Sequence, residues 1–208
     1  MNIGITTRTT TLNKAKINYI PSTYLNVIKD YGYPIIIDSS ISIKSTNEFE
    51  QQLKNIDAFI LPGGTNINYI DLYIINYCYK NDIPLLGICL GMQEISYYFN
   101  NNSLQPLNTL SHFNMRKKYL HKITLDNNSS LYKILKRKNI KVNSRHKFKI
   151  SEDPHYSIEA THEDVIEAIK VKDRKCILGI QFHPEIMYEY DRYAKKLFDY
   201  FFSFANNE

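Results

Sequence analysis

A single α/β domain, with a mostly parallel central sheet flanked by helices, is the fold this sequence predicts, and three observations carry the prediction. Short runs rich in Ile and Leu alternate with longer stretches of helical spacing, the pattern of parallel strands joined by crossover helices. Two of the apolar runs break into glycine-bearing turns, at Pro62-Gly63-Gly64 and at Gly87-Ile88-Cys89-Leu90-Gly91. The chain has 208 residues, which suits one domain of ordinary size, and no internal repeat or low-complexity linker divides it.

In chain order, strands are expected at Ile3–Thr6, Ile35–Ile37, Ala58–Leu61 and Leu85–Ile88. Helices near Tyr19–Tyr31, Asn47–Lys54 and Ile70–Asn81 separate them, each stopping close to a Gly, Pro or Asn/Asp signal. After a helix at about Gly91–Phe99 come shorter strands at Lys122–Leu125, Lys141–Asn143, Ser157–Thr161, Val165–Val171 and Ile177–Gln181, with room for antiparallel pairs. The last stretch, Glu189–Phe204, places Tyr193, Leu197, Tyr200 and Phe204 at helical spacing and predicts an amphipathic helix closing the domain. Asn100–Lys118 is the least regular segment and is read as a loop able to cover a site.

Composition narrows the function. Hydrophobic residues make up 43% and charged residues 23%, so the chain has the means to bury a core and is not a disordered segment. The formal charge of +5 is spread along the sequence apart from short clusters at Arg116–Lys118 and Lys133–Lys141. Without a dense basic stripe, nucleic-acid binding is not expected, whereas a small anionic substrate fits. Cys78, Cys89 and Cys176 are odd in number and lack CxxC or Cys/His spacing, so no disulfide framework or zinc site is expected and a reducing cytoplasm is. The N-terminal MNIGITTRTT has no apolar stretch of signal-peptide length, and no run approaches the roughly 20 apolar residues of a membrane span.

The informative stretch is PLLGICLGMQ, residues 84–93. An apolar strand runs into Gly-Ile-Cys-Leu-Gly and then into a helical pattern. Glycines two residues either side of Cys89 are what a nucleophile on a sharp strand-to-helix turn needs, because neighbouring backbone must approach closely there. At the start of the following helix, free amides and the macrodipole favour a thiolate and offer donors to an oxyanion. A lone cysteine at a strand end is more often a small buried residue; the flanking glycines favour the nucleophile.

A second strand, in ILGIQFHPEI, delivers His183, Pro184 and Glu185. Pro184 disfavours a helical His183, so the segment is expected to stay extended, with imidazole and carboxylate on one side. That is a base with an orienting acid, the pair a cysteine nucleophile requires. A third piece, AFILPGGTNI, ends a strand at Pro62-Gly63-Gly64, where backbone amides can face a reacting carbonyl and join the Leu90 N–H. All three lie at the C-terminal ends of expected strands, where open α/β sheets place ligands.

Taken together, LPGG, GICLGMQ and GIQFHPE resemble the class I glutamine amidotransferase superfamily, a flavodoxin-like fold with a nucleophile elbow. The opening GIT, SIEAT followed by VIEAI, and HPEIMYEYDRYAKKLFDYF resemble its free-standing γ-glutamyl hydrolase branch, relatives of γ-glutamyl-γ-aminobutyrate hydrolase, over nearly the whole chain. The resemblance implies Cys89 as nucleophile, His183 as general base and acid, Glu185 as its partner, and Gly64 with Leu90 as oxyanion donors. It further implies Gly63 and Gln93 at the glutamyl group, a glutamyl-thioester intermediate, and no metal or organic cofactor.

One motif departs from the branch. Relatives in this branch commonly carry Asn-Ser-x-His-His-Gln where this chain reads VNSRHKF: Ser144 and His146 match, Lys147 and Phe148 replace His and Gln, and Arg145 takes the variable place. Ser144, Arg145, His146 and Lys147 are therefore expected at the substrate, the two cations holding an anionic leaving group; side chains turned to solvent are the plain alternative. Within the branch, hydrolysis of γ-glutamyl-CDP-amidate in capsule biosynthesis fits such a preference. The chain also looks short between its first strand and the helix near Tyr19, so one substrate-covering loop is expected to be missing. Two other readings share the motifs: a glutaminase subunit delivering ammonia to a synthase partner, and a binding protein on the same scaffold without turnover.

Overall fold

Strand β1 (Asn2–Thr6) enters the core at once and is followed by a hairpin of β2 (Arg8–Leu12) and β3 (Ala15–Tyr19). The computed structural model describes residues 1–107 and 111–205. Next come α1 (Ser22–Ile28), β4 (Tyr33–Ile37), α2 (Thr46–Leu53), β5 (Ala58–Leu61), α3 (Tyr69–Asn81), β6 (Leu85–Ile88) and α4 (Leu90–Phe99). The second half holds β7 (Leu104–Pro106), β8 (His121–Leu125), α5 (Ser130–Leu135), β9 (Asn139–Val142), β10 (Phe148–Ile150), β11 (Tyr156–His162), β12 (Val165–Val171), β13 (Ile177–Ile180), α6 (Pro184–Met187) and α7 (Arg192–Ser203).

Nine strands form one sheet in the order β4-β1-β5-β6-β13-β12-β11-β8-β9. The first five are parallel, and β12 onward is antiparallel. The fully buried AFIL, LLGI and ILGI of β5, β6 and β13 explain the central position, since continuous apolar runs suit strands covered on both faces. One face carries a core with Tyr24, Ile28, Leu131, Phe198 and Phe202, the other a core with Phe49, Ile74, Met92 and Ile95. Among the described residues no helix is long and apolar enough to cross a membrane.

The expected parallel sheet and its flanking helices are present, with four differences of detail. The helix expected from Tyr19 starts at Ser22, because Ala15–Tyr19 pairs with Arg8–Leu12 through a turn in which Asn13 (φ 49°) and Lys14 (φ 67°) are both left-handed. That is the twist two-residue hairpins favour, and Asn-Lys lacks the glycine that would announce it. The hairpin fills the place where a covering loop was expected to be missing.

The closing helix buries Ala194, Leu197, Phe198, Phe201 and Phe202, with Tyr193, Tyr200 and Phe204 only at the margin. Its Asp191 cap, which accepts from Tyr193 N and Ala194 N, sets the start three residues late. The short pair β7 with β10 and the helix α5 were not anticipated. Within Asn100–Lys118, residues 108–110 lie outside the described residues, while Phe113 forms a bridge to Arg145.

Candidate active site

Three neighbouring strands bring the distant motifs together. Gly87 of β6 pairs with Leu61 of β5 on one side and Gly179 of β13 on the other, so chain leaving the C-terminal ends of all three converges. The Cys89 amide donates to the Ile180 carbonyl at 2.7 Å, which ties the elbow to the strand that delivers His183.

Cys89 occupies φ 54° and ψ −100°, a left-handed conformation costing about 1–3 kcal/mol for a residue with a side chain. The flanking glycines are needed for space. A Cβ on Gly87 would lie 2.5 Å from the backbone of Gly91, and one on Gly91 would lie 2.4 Å from the Leu61 carbonyl oxygen. Both glycines keep φ below zero, so the strain of the turn rests on the cysteine.

The imidazole of His183 lies beside Cys89: a Cβ on Gly63 would meet His183 Cε1 at 2.7 Å and Cys89 Cβ at 3.5 Å. On its other side, His183 Nδ1 lies 2.8 Å from Glu185 Oε1. The segment is not extended as expected. Pro184 opens α6, and Glu185 reaches the imidazole from the first turn of that helix. A proline at the first helical position has its φ pre-set and no amide to leave unpaired, so His183 is the last non-helical residue and not the start of an extended run. Asn143 pins this junction, giving its Nδ2 to His183 O and accepting from His183 N, both at 2.8 Å.

Burial works against the His183 imidazolium, but the Glu185 carboxylate and the Cys89 sulfur outweigh it and raise the pKa to about 10. The folded pKa lies above the ordinary value near 6.5, so the stabilisation from this charge is complete below about pH 6.5 and lost as pH rises through 10. Glu185→Gln removes the leading upward influence. The His183 NMR titration midpoint is expected to fall well below 10 in that variant; an unmoved midpoint would assign the shift to Cys89 alone.

Cys78 and Cys176 are unsuited to the same chemistry. Burial pushes the Cys78 thiol far up and that of Cys176 to about 12, and neither borders the cavity that holds Cys89.

The Pro62-Gly63-Gly64 turn is held by residues the motifs do not reveal. Arg8 donates Nη2 to Pro62 O and Nε to Gly63 O (3.1 Å), while the Gly63 amide donates to Tyr24 Oη at 2.8 Å. In a planar trans peptide the carbonyl and amide point opposite ways. Anchoring Gly63 O on Arg8 therefore turns the Gly64 N–H away from Arg8, with no acceptor of its own among the described residues. The Leu90 N–H, at the first turn of α4, likewise has none. Burial, then the Glu185 charge, keeps the Tyr24 phenol neutral, its pKa well above 10.

Arg8 is held in turn. Its Nη1 bonds Asp71 and its Nη2 lies 3.5 Å from Glu94, and both carboxyl side chains are fully buried. Burial and the neighbouring Asp71 push the Glu94 carboxyl well above its usual range, against the downward pull of Arg8.

A cavity of about 270 Å³ opens on Cys89, lined by Gly64, Gln93, Arg145, His146, Lys147 and Phe148 among others. Gln93 is buried, its Nε2 directed at Gln181 Oε1 (3.3 Å) and Phe148 O (3.4 Å). Arg145 gives Nη2 to Met115 O, Lys147 lies 4.8 Å over the Phe113 ring, and neither pairs with a carboxylate among the described residues. Ser144, expected at the substrate, is fully buried, donates to His112 O at 2.6 Å and does not border the cavity. The next residue, Arg145, pairs with Phe113 in an isolated antiparallel bridge. A second cavity of about 460 Å³, sharing Gly64 and Thr65 with the first, is lined by Lys14 and Lys16 of the hairpin.

Arg8, Tyr24 and Asp71 had no motif to mark them; Asn143 stood in the Asn-Ser pair at 143–144, the one local signal available for any of the four.

Comparison with known proteins agrees with this architecture. Residues 2–185 match the Peptidase C26 family. The glutamine amidotransferase-like protein YvdE of Lactococcus lactis is 25% identical over 219 residues, covering 89% of each chain. CTP synthase of Coprothermobacter proteolyticus is 24% identical over 80% of this chain, which spans only 39% of that longer protein. Among solved structures, the glutaminase domain of Trypanosoma brucei CTPS, with bound acivicin, superposes with a TM-score of 0.71 at 16% identity, covering 98% of this chain and 93% of that one.

Proposed function

The chain belongs to the Peptidase C26 family and has the class I glutamine amidotransferase fold, and from that premise we propose that it is a cysteine hydrolase of γ-glutamyl amides. The observation that carries this reading is the line from Cys89 through the His183 imidazole to Glu185, set on the strained turn at the sheet's C-terminal edge.

In this reading the Cys89 sulfur attacks the γ-carbonyl carbon, and the Gly64 and Leu90 amides receive the oxyanion. His183 takes the thiol proton and gives it to the departing amine as the C–N bond breaks, leaving a glutamyl thioester. Water, losing a proton to His183, then attacks the thioester; glutamate leaves and the thiol is restored. Glu185 holds the imidazole with Nε2 free for these transfers.

Arg145 and Lys147 beside Cys89, with Lys14 and Lys16 in the adjoining cavity, favour an anionic amine-side group such as the phosphates of a nucleotide amidate, γ-glutamyl-CDP-amidate among them. The likeness to CTP synthase and its glutaminase domain favours a second reading, delivery of ammonia from glutamine to a synthase.

Glutamate release by the purified chain from glutamine, neutral γ-glutamyl amines and γ-glutamyl nucleotide amidates separates the two. The hydrolase turns over amidates unaided; a synthase subunit is slow until its partner is present. Ala at both Arg145 and Lys147 is expected to lower kcat/KM for anionic amides about 10- to 100-fold, the worth of one or two charge-assisted hydrogen bonds. Neutral amides should change little, and equal losses on both classes would remove the anion assignment.

A further inference from the structure

Behind the wall of the Cys89 cavity, four histidines surround one glutamate. Glu167 of β12 is fully buried, and its Oε1 lies 3.2 Å from His112 Nδ1, 3.2 Å from His121 Nε2 and 3.6 Å from His146 Nε2. His112 Nδ1 and His146 Nε2 are 3.1 Å apart. His162 stacks on His121 with ring centroids 4.0 Å apart.

The His112 and His146 nitrogens meet in hydrogen-bond geometry, but neither Glu167 oxygen, and neither ring nitrogen of His121, has a hydrogen-bond partner among the described residues. Buried polar atoms rarely go unsatisfied, and a carboxylate this deep calls for a compensating cation. Ligands about 2.0–2.2 Å from a tetrahedral zinc-type ion lie about 3.3 Å from each other. The separations of His112 Nδ1, His146 Nε2 and Glu167 Oε1, at 3.1, 3.2 and 3.6 Å, match that spacing.

The outer contacts fit as well. His146 Nδ1 is 2.9 Å from Phe148 O. A carbonyl only accepts, so Nδ1 carries the proton and the Nε2 lone pair faces the cluster, as in metal sites where a second contact sets the tautomer.

We propose that His112, His146 and Glu167 bind one divalent transition-metal ion of the zinc type. The site joins the turn at His112 and the segment at His146 to strand β12, and so stiffens the wall that presents Arg145 and Lys147 to the Cys89 cavity. Its role is structural and is independent of the hydrolase reading. A proton shared between His112 and His146 is the rival occupant.

The test uses metal-stripped Cys89→Ala protein, so that the candidate catalytic thiol takes no metal. Titrated with Zn²⁺ and desalted, it is expected to retain one equivalent by elemental analysis. Co²⁺ should give visible bands of a nitrogen and oxygen site, without sulfur charge transfer. Glu167→Gln and, separately, His112→Gln in the same background should bind at least about 100-fold more weakly, since even outer contacts to a metal are worth 10- to 100-fold. Failure of the Cys89→Ala protein to retain metal would overturn the site whatever the variants do, as would retention undiminished in both folded variants.

Discussion

Cys89→Ala is expected to lower glutamate release from γ-glutamyl amides by at least about 10⁴-fold, the scale on which removal of a nucleophile acts, while the protein stays folded. The size of the loss follows from there being no substitute. Cys78 and Cys176 are closed off from the cavity and their thiols are pushed up by burial. Water activated by His183 would lack the Cys89 position, which the turn at φ 54° sets beside the imidazole. Intact-mass measurement on rapidly quenched enzyme should show a glutamyl adduct on the native chain and none on the variant. A glutamyl thioester in Cys89→Ala would move the nucleophile elsewhere and sink the proposed chemistry.

Arg8→Met should produce the next largest effect, and on two observables. Asp71 has no exposed side-chain surface, and removing its partner leaves a buried charge uncompensated, at a cost of about 3–5 kcal/mol in unfolding free energy. Two carbonyls of the Pro62-Gly63-Gly64 turn also lose their donor. A Gly64 amide free to rotate off the oxyanion position costs about 10²–10³-fold in kcat, as loss of one such donor does.

Arg8 does not touch the reacting atoms, so it is a positioning residue, and a companion variant separates its two roles. Adding Asp71→Asn to Arg8→Met removes the carboxylate stranded by loss of Arg8, and burial holds the remaining Glu94 carboxyl toward its uncharged form. Chemical denaturation should show most of the stability restored, while kcat stays low because the turn is still unpinned. Recovery of both together would mean that Arg8 serves the fold alone.

The local features of the site could be read from the chain because each depends on near neighbours. An apolar run entering Gly-x-Cys-x-Gly favours a tight strand-to-helix turn, and the contacts a Cβ would make at Gly87 and Gly91 show the crowding that requires the glycines. His183 and Glu185 are two residues apart and meet in an extended segment or at a proline-opened helix alike. The mistaken backbone at Pro184 therefore left the pairing intact. The hairpin at Arg8–Tyr19 was missed for the opposite reason: Asn13 and Lys14 take left-handed backbone without glycine, and only pairing across the turn discloses it.

Alternation of apolar runs with helical stretches was enough by itself to establish an α/β sheet with a cysteine at one strand end and a histidine-acid pair at another. Strand order decided the rest, by setting β13 against β6 so that positions about 90 residues apart share one edge. The Arg8 clamp joins residues up to 86 apart in sequence, Arg8 to Glu94, and the histidine–glutamate cluster draws on one loop, one turn and three strands. Such groupings leave no periodic trace along the chain, because what makes a charge or a lone pair consequential is its removal from water, and that happens only when distant elements pack over it.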